Sequence, residues 1–377
     1  MSTFIQTLAL GGRGPDSPTI AIKDTIDIAG HRTTGASRAL AEVAPARRHA
    51  HVVQRLLDAG WRIVGKANMH ELAFGMTGIN DYTGTPENPQ ARTRIPGGSS
   101  SGSAAAVGLG LADAALGTDT GGSIRGPAAC CGVIGLKPTF GRVSRDGVAP
   151  AVTTLDCVGP FAREMRMLIA AMTAISADFD GRAAAAPAAA LRIGIVAAPA
   201  RHEFGAAVVD AVRRAGNGAR ACALPRLGEA FEAGLAVINA ETSAAFGHLV
   251  GSGKLGADLE ARLRAAAATT REALEAAERV RRAFTDEVDR ALERVDLLVM
   301  PTLPDFPITV EEARGGRPVI AMSSLIRPFN LSGHPALSLP LPVASSTLKA
   351  GLQIVGRHDA DEQVCAFGSH LERALAA

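Results

Sequence analysis

Apolar residues recur along this chain with two periods, and segments of each kind take turns. From Ser17 to Gly30, Ile20 and Ile22 alternate with small or polar neighbours, the two-residue period of a strand that ends at Lys23-Asp24. Across residues 50–60, Val52, Val53, Leu56 and Leu57 share one helical face, and Gly60 supplies a stop. Arg62 to Gly65 reads as a short buried strand, and Asn68 is placed to cap a helix through His70-Glu71-Leu72. Residues 82–96 are rich in turn formers, namely Pro86, Asn88-Pro89 and Pro96. A helix is expected from about Gly102 to Leu111. A buried strand, Ala114 to Gly117, then leads into Asp119-Thr120-Gly121-Gly122-Ser123. Further on, the pattern predicts a helix over Arg163–Ile175 and an Ala/Pro/Asp-rich connector over residues 177–190, the best candidate for a boundary. It then predicts strands at Leu191–Val196 and Leu297–Met300, one long charged helix over Arg262–Leu292, and a closing helix over Val364–Leu375. Strands alternate with helices without internal repeat, so the class is α/β.

Bulk properties narrow the picture. With 377 residues the chain holds one large or two ordinary domains. Apolar residues at 47% and charged residues at 20% exclude a disordered chain. A net charge of +2 without a basic run argues against a nucleic-acid surface, and 4% aromatics argue against base-stacking platforms. The start, MSTFIQTLAL, has no secretory features, and no apolar run of membrane-spanning length exists, so a cytoplasmic protein without membrane contact is expected. Five cysteines, an odd number without CxxC spacing, fit buried thiols in a reducing compartment.

Residues 96–138 carry the candidate chemistry. Two serine clusters, Ser99-Ser100-Ser101 and Ser123, lie in separate glycine-rich turns with an apolar segment between them. Glycines let backbone N–H groups approach a ligand, and a hydroxyl beside aimed N–H donors is the minimal equipment for attack on a carbonyl. Gly98 to Gly102 also matches GxSxG with Ser100 at its centre, but Arg92 to Pro96 is no buried strand, so a nucleophile elbow is disfavoured. No GK[ST] ending supports a phosphate loop. None of the nine histidines falls in a nucleophile or metal pattern: His49 and His51 would face different sides of a helix, and His70 reads as a surface or core-edge residue. A base other than histidine is therefore needed. Lysine serves only when neutral, and at its ordinary pKa only about one in 2,500 is neutral at pH 7. Lys23, at a strand end under Ile20, Ile22 and Ile26, is a place where burial can lower that value, although composition alone does not select it.

These stretches are very similar to the signature of the amidase signature family. GGSSSGSAAAV and GTDTGGSIRGPAACCGVIGLKPT resemble its serine motifs, with Ser99 and Ser123 at the family's spacing, and AIKDTIDIAG resembles its lysine motif. VGKANMHELAFG, GTPENP, GRVSRDGVAP, LDCVGPFAR, FNLSGHPALSLP and GLQIVGRH follow in the family's order. The match is dense over residues 17–163, returns over 296–358, and is thin between about 180 and 290, the variable and substrate-facing part. The resemblance implies a single domain, residues 1–377, built on a large mixed twisted sheet with helices on both faces. It implies that Ser123 is the acyl-accepting nucleophile, Ser99 a proton-relaying serine with a cis peptide bond, and Lys23 the general base. Backbone N–H groups of Thr120, Gly121, Gly122 and Ser123 would form the oxyanion hole, braced by Ser100, Asp119 and Arg125. Phe74, Gly75 and Met76 would line the acyl side, with Gly75 leaving room near the nucleophile. The implied reaction is hydrolysis of a linear carboxylic amide to an acid and ammonia or an amine, with no cofactor and no metal. The expected partner is a small-molecule amide, without nucleic acid, in a monomer or homodimer. The alternative is the A subunit of a tRNA-dependent amidotransferase, which uses the same triad and passes ammonia to a partner. Three departures stand out: only 22 residues precede Lys23, Cys130 replaces a larger apolar residue, and Thr25 stands where Asn is common. A carboxylated substrate would need a pocket arginine, which the sequence does not single out.

Overall fold

In the computed structural model, which describes residues 2–188 and 191–376, eleven strands form one sheet. They are β1 (Phe4–Gly11), β2 (Thr19–Lys23), β3 (Arg62–Ala67), β4 (Ala114–Asp119), β5 (Ile134–Lys137), β6 (Cys157–Ala162), β7 (Ile193–Val196), β8 (Ala219–Cys222), β9 (Leu297–Pro301), β10 (Ala336–Leu341) and β11 (Ala350–Val355). Their order is β1-β3-β2-β4-β6-β5-β10-β11-β9-β7-β8. The pairs β3–β2, β2–β4, β9–β7 and β7–β8 are parallel, and the others are antiparallel, so the sheet is mixed.

Side-chain alternation along single strands separates two cores. Ile20 and Ile22 of β2, Ala114 and Leu116 of β4, and Leu297 and Val299 of β9 point into one cluster. Helices His51–Asp58, Met165–Ile175, His202–Arg214 and Asp361–Ala376 pack on that face. Ala21 and Ala115, on the opposite face, meet helices Ser101–Gly108 and Arg125–Cys131. Leu298 and Met300 meet Leu227–Phe246 and Arg271–Arg294. Beside residues 96–138 the second face is built largely from Ala, which lets those two short helices sit close to the strands.

Several expectations are corrected. Asn68 caps no helix: its amide donates to Ser2 O (2.7 Å) and Gly84 O (2.9 Å), and its Oδ1 accepts from Met69 N (2.7 Å), so it ties two loops to β3. The helix expected there is a single 3-10 turn, Glu71–Ala73. The long charged helix is two helices, Ala257–Ala266 and Arg271–Arg294, and Thr270 caps the second through Ala273 N (3.2 Å). The connector at 177–190 contains a short helix, Gly181–Ala185, capped by Asp180. Residues 189 and 190 of that connector lie outside the described residues. The chain beyond it re-enters the same sheet as β7. Among the described residues no helix is long and apolar enough to cross a membrane.

Candidate active site

β2 and β4 run side by side in parallel, and their ends deliver Lys23 and Asp119 to one place. Lys23 is completely buried. Its Nζ donates to Ser99 Oγ and to Thr118 Oγ1, each at 2.8 Å. Both partners are neutral hydroxyls, so nothing in contact compensates a charge. Burial drives the Lys23 amine down to about 7, against the pull of the Asp156 and Asp119 carboxylates. Half of the molecules then hold a neutral amine near pH 7, about 10³ times the fraction of a solvated lysine.

The two serine turns are joined through their backbones. The Gly98–Ser99 peptide bond is cis. Ser99 O accepts from His70 N (3.0 Å), and Ser100 N donates to Ser123 O (3.3 Å). Ser100 Oγ is fixed on β4, donating to Thr118 O (3.2 Å) and accepting from Thr118 N (3.3 Å). Ser123 lies at the floor of a cavity of about 360 Å³ that Thr120, Gly121, Phe74, Gly75 and Met76 also line.

Asp119 and Arg125 hold the second turn. Asp119 Oδ1 accepts from Gly122 N (2.7 Å), and Oδ2 accepts from Ile124 N (3.1 Å) and Arg125 N (3.3 Å). Arg125 closes a fork onto the same carboxylate through Nε and Nη2, both at 3.0 Å. Its remaining donors reach Ile326 O and Gln353 Oε1 (2.8 Å each) and Asn330 Oδ1 (2.7 Å). Burial alone would raise the Asp119 carboxyl, but the Arg125 charge and the bonds from Arg125 and Asn330 hold it well below the usual range. One expected donor is therefore already committed: the Gly122 N–H, at φ +113°, serves Asp119. The N–H groups of Gly121 and Ser123 donate to no acceptor among the described residues. Behind the turn, Thr120 Oγ1 donates to Asp156 Oδ1 (2.8 Å), and Arg145 pairs with Oδ2 of that carboxylate (2.9 Å).

Gly75 lines the cavity of Ser123 and also makes room for a neighbour behind it. A Cβ there would lie 2.0 Å from His70 Nε2, so the missing side chain accommodates the buried His70 ring. The sequence assigns no role to Thr118, Asn330, Gln353, Asp156 or Arg145. All five stand inside quoted motifs: Thr118 in GTDTGGSIRGPAACCGVIGLKPT, Arg145 in GRVSRDGVAP, Asp156 in LDCVGPFAR, Asn330 in FNLSGHPALSLP and Gln353 in GLQIVGRH. The fold also gathers Asp289, His334 and His358, which the histidine spacing does not suggest. His334 is buried with Nε2 3.0 Å from Asp289 Oδ1 and Nδ1 3.0 Å from Ser332 Oγ, so both ring nitrogens have partners without an ion.

The Amidase family model matches residues 19–365. The chain belongs to the amidase family. Like the other members, this amidase is an enzyme for C–N bonds of amides. It is 35% identical over 398 residues to the A subunit of glutamyl-tRNA(Gln) amidotransferase from Methanospirillum hungatei, covering 94% of this chain and 92% of that relative. Its fold matches the solved A subunit of the same amidotransferase from Thermotoga maritima with a TM-score of 0.82 at 29% identity, over 98% of this chain and 88% of that one. A chain from a vestigial protein complex, described as revealing the origins of an s-triazine catabolic enzyme, superposes with a TM-score of 0.88 at 29% identity, over 96% and 86% of the two chains. These relatives correct the expected partner set, a small-molecule amide without nucleic acid, because they are named as parts of protein complexes and two carry a tRNA in their names. The weak charge of this amidase does not decide the matter, since an assembly can hold nucleic acid on a different subunit.

Proposed function

We propose that this chain is the amide-cleaving A subunit of a tRNA-dependent amidotransferase. The observation that carries the reading is near full-length similarity to subunits of that name, combined with a buried Lys23 amine 2.8 Å from Ser99 Oγ. In this mechanism Ser123 Oγ attacks the carbonyl carbon of an amide donor while its proton passes through Ser99 to neutral Lys23. The oxyanion that forms is held by the N–H groups of Gly121 and Ser123, with Thr120 beside them and Gly122 bracing the turn. The C–N bond breaks, the protonated Lys23 returns the proton to the leaving nitrogen, and ammonia departs. Water then hydrolyses the Ser123 ester with the same base. The ammonia is handed to a partner subunit that carries the tRNA-linked acceptor. Phe74 and Met76 contact the acyl group, and the segment at about 180–290 shapes its surroundings.

Reconstitution tests this. The chain is combined with the remaining amidotransferase subunits, and amidation of glutamyl-tRNA(Gln) is followed with an amide donor supplied. Amidation is expected with the native chain and is lost with Ser123→Ala, while externally added ammonia restores it in the variant assembly. A chain that enters no such assembly, and cleaves amides equally well alone, overturns the reading.

A further inference from the structure

Outside the cavity of Ser123, the fold brings two histidines and an aspartate to one end of the sheet. β10 and β11 pair in antiparallel register with Ala336 opposite Val355. His334 stands two residues before that pair and His358 three residues after it, so both leave the sheet at the same end. Asp289 reaches them from helix Arg271–Arg294. One donor atom from each of the three lies within 4.8 Å of the other two.

The two rings stack, with centroids 3.9 Å apart and planes 32° from parallel. Each ring spans from Ser332 to Asp289. His334 meets Ser332 Oγ through Nδ1 and Asp289 Oδ1 through Nε2, both at 3.0 Å. His358 meets Ser332 O through Nε2 at 2.9 Å, and its Nδ1 lies 3.9 Å from the same Asp289 oxygen. A carbonyl only accepts, so His358 carries a proton on Nε2, and the neutral ring turns its Nδ1 lone pair toward the carboxylate. Two acceptors facing each other repel unless something positive stands between them, either a second ring proton or a metal ion.

Ser332 does for both rings what the outer partners of metal-bound histidines do. It holds the far nitrogen and so sets which nitrogen faces the ion. Gly333 beside it gives the ring its room, since a Cβ there would lie 3.3 Å from His358 Nε2. The 3.0 Å between His334 Nε2 and Asp289 Oδ1 is close to the spacing of two ligands on one ion, roughly 3–3.5 Å for bonds of about 2.0–2.2 Å. Asp289 and His358 are exposed, so an ion has a path from solvent. His358 also lines a cleft of about 490 Å³, from which water can complete the coordination.

We propose that His334 Nε2, His358 Nδ1 and the Asp289 carboxylate form a binding site for a divalent transition-metal ion, with Zn(II) the ion this nitrogen and oxygen set suits. In the neutral His334 ring the carboxylate holds the proton on Nε2. On binding, that proton moves to Nδ1, where Ser332 Oγ accepts it instead of donating, and the ring loses no net proton. The ion ties the Gly333 turn and the end of β11 to helix Arg271–Arg294. It takes no part in the amide cleavage proposed above, and the two readings stand or fall separately.

The test uses the untagged full chain, stripped with EDTA and desalted, with ZnCl2 as the only added ligand. Titration calorimetry is expected to give one equivalent bound with a Kd of about 1 µM or below. At about 100 µM Zn(II) such a site raises the melting temperature by roughly 3 °C or more. Co(II) in place of Zn(II) is expected to give the visible absorption of a four-coordinate site with nitrogen and oxygen ligands. His358→Ala and Asp289→Asn, both at exposed positions, should each weaken Zn(II) binding by at least about 10² and remove the melting shift. Ser332→Ala, which frees only the far nitrogen of His334, should weaken it about tenfold. A native chain that binds no Zn(II) and melts unchanged overturns the site. Binding or a melting shift that survives His358→Ala and Asp289→Asn places the ion on other side chains, such as the cysteines, and overturns it too.

Discussion

The floor and the wall of the cavity are built on opposite principles. The floor, from β2, β4 and the two serine turns, is a buried polar lattice in which Asp119 accepts from three backbone N–H groups and a two-pronged arginine. The wall, from helices Leu227–Phe246 and Ala257–Ala266, meets that floor through side chains such as Leu235, Ile238 and Ala265, and the two helices bury their other faces in two ordinary apolar clusters. Removing one member of a satisfied buried lattice leaves its partners unpaired, whereas trimming one apolar contact costs only its area and any void. The floor therefore tolerates little change, and the wall is free to vary. The long motifs of the sequence gather in the floor and in the strands that carry it.

The largest effect is expected where the floor's charge balance sets the chemistry. Lys23→Met should lower amide cleavage by roughly 10³–10⁴, in keeping with the loss of a positioned base. In the native chain, kcat/KM should rise with pH through about 7, as Lys23 loses its proton. The same shift acts on folding. The native amine has the lower pKa, so the unfolded chain binds more protons between about 7 and the ordinary 10.5, and stability from this group rises with pH across that window. A Lys23→Met chain should lack that part of the pH dependence in thermal denaturation. A native profile flat from pH 6 to 9 would remove the neutral-amine base from the mechanism.

A smaller effect, now on stability, comes from breaking the brace. Arg125→Met leaves Asp119 ionised and buried beside Asn330, with the Asn330 and Gln353 acceptors also deprived of their donor. The expected cost is about 3–5 kcal/mol, read by chemical denaturation. Asp119 stabilises the fold above its ordinary carboxylate range and loses that contribution as pH falls, because its native value is depressed. Acid sensitivity of the native chain should therefore shrink in Asp119→Asn.

How much of the molecule is legible in the sequence follows the same division. Lys23, Ser99 and Ser123 are readable as candidates because glycine-rich turns and a strand-end lysine leave local marks, and the fold brings Lys23 and Ser99 into contact. Their neighbours in space are not. Thr118 is one residue of an apolar strand, and only the parallel pairing of β2 with β4 puts its hydroxyl against Lys23. β1 leaves no such mark because an edge strand with one partner has little core to bury, so Phe4–Gly11 shows no clean alternation. The split at Thr270 is hidden because the alanines Ala265–Ala268 favour helix right up to it, while the break lies in a capping hydroxyl.

The smallest effect falls where wall meets floor. Ile238 Cδ1 lies 2.8 Å from the position a Cβ on Gly121 would occupy, so this one side chain covers the Gly121 turn. It is half-buried, and Ile238→Ala should cost no more than about 1 kcal/mol in stability. Its effect should appear in selectivity: the extra space favours amides with a bulkier acyl group by about tenfold relative to the native chain, the size of a change of one or two methylenes in an apolar pocket. Competition between a short and a branched acyl amide reads this directly. If the variant instead lost several kcal/mol, the wall would share the floor's rigidity, and the separation of chemistry from specificity would fail at the contact where the two regions meet.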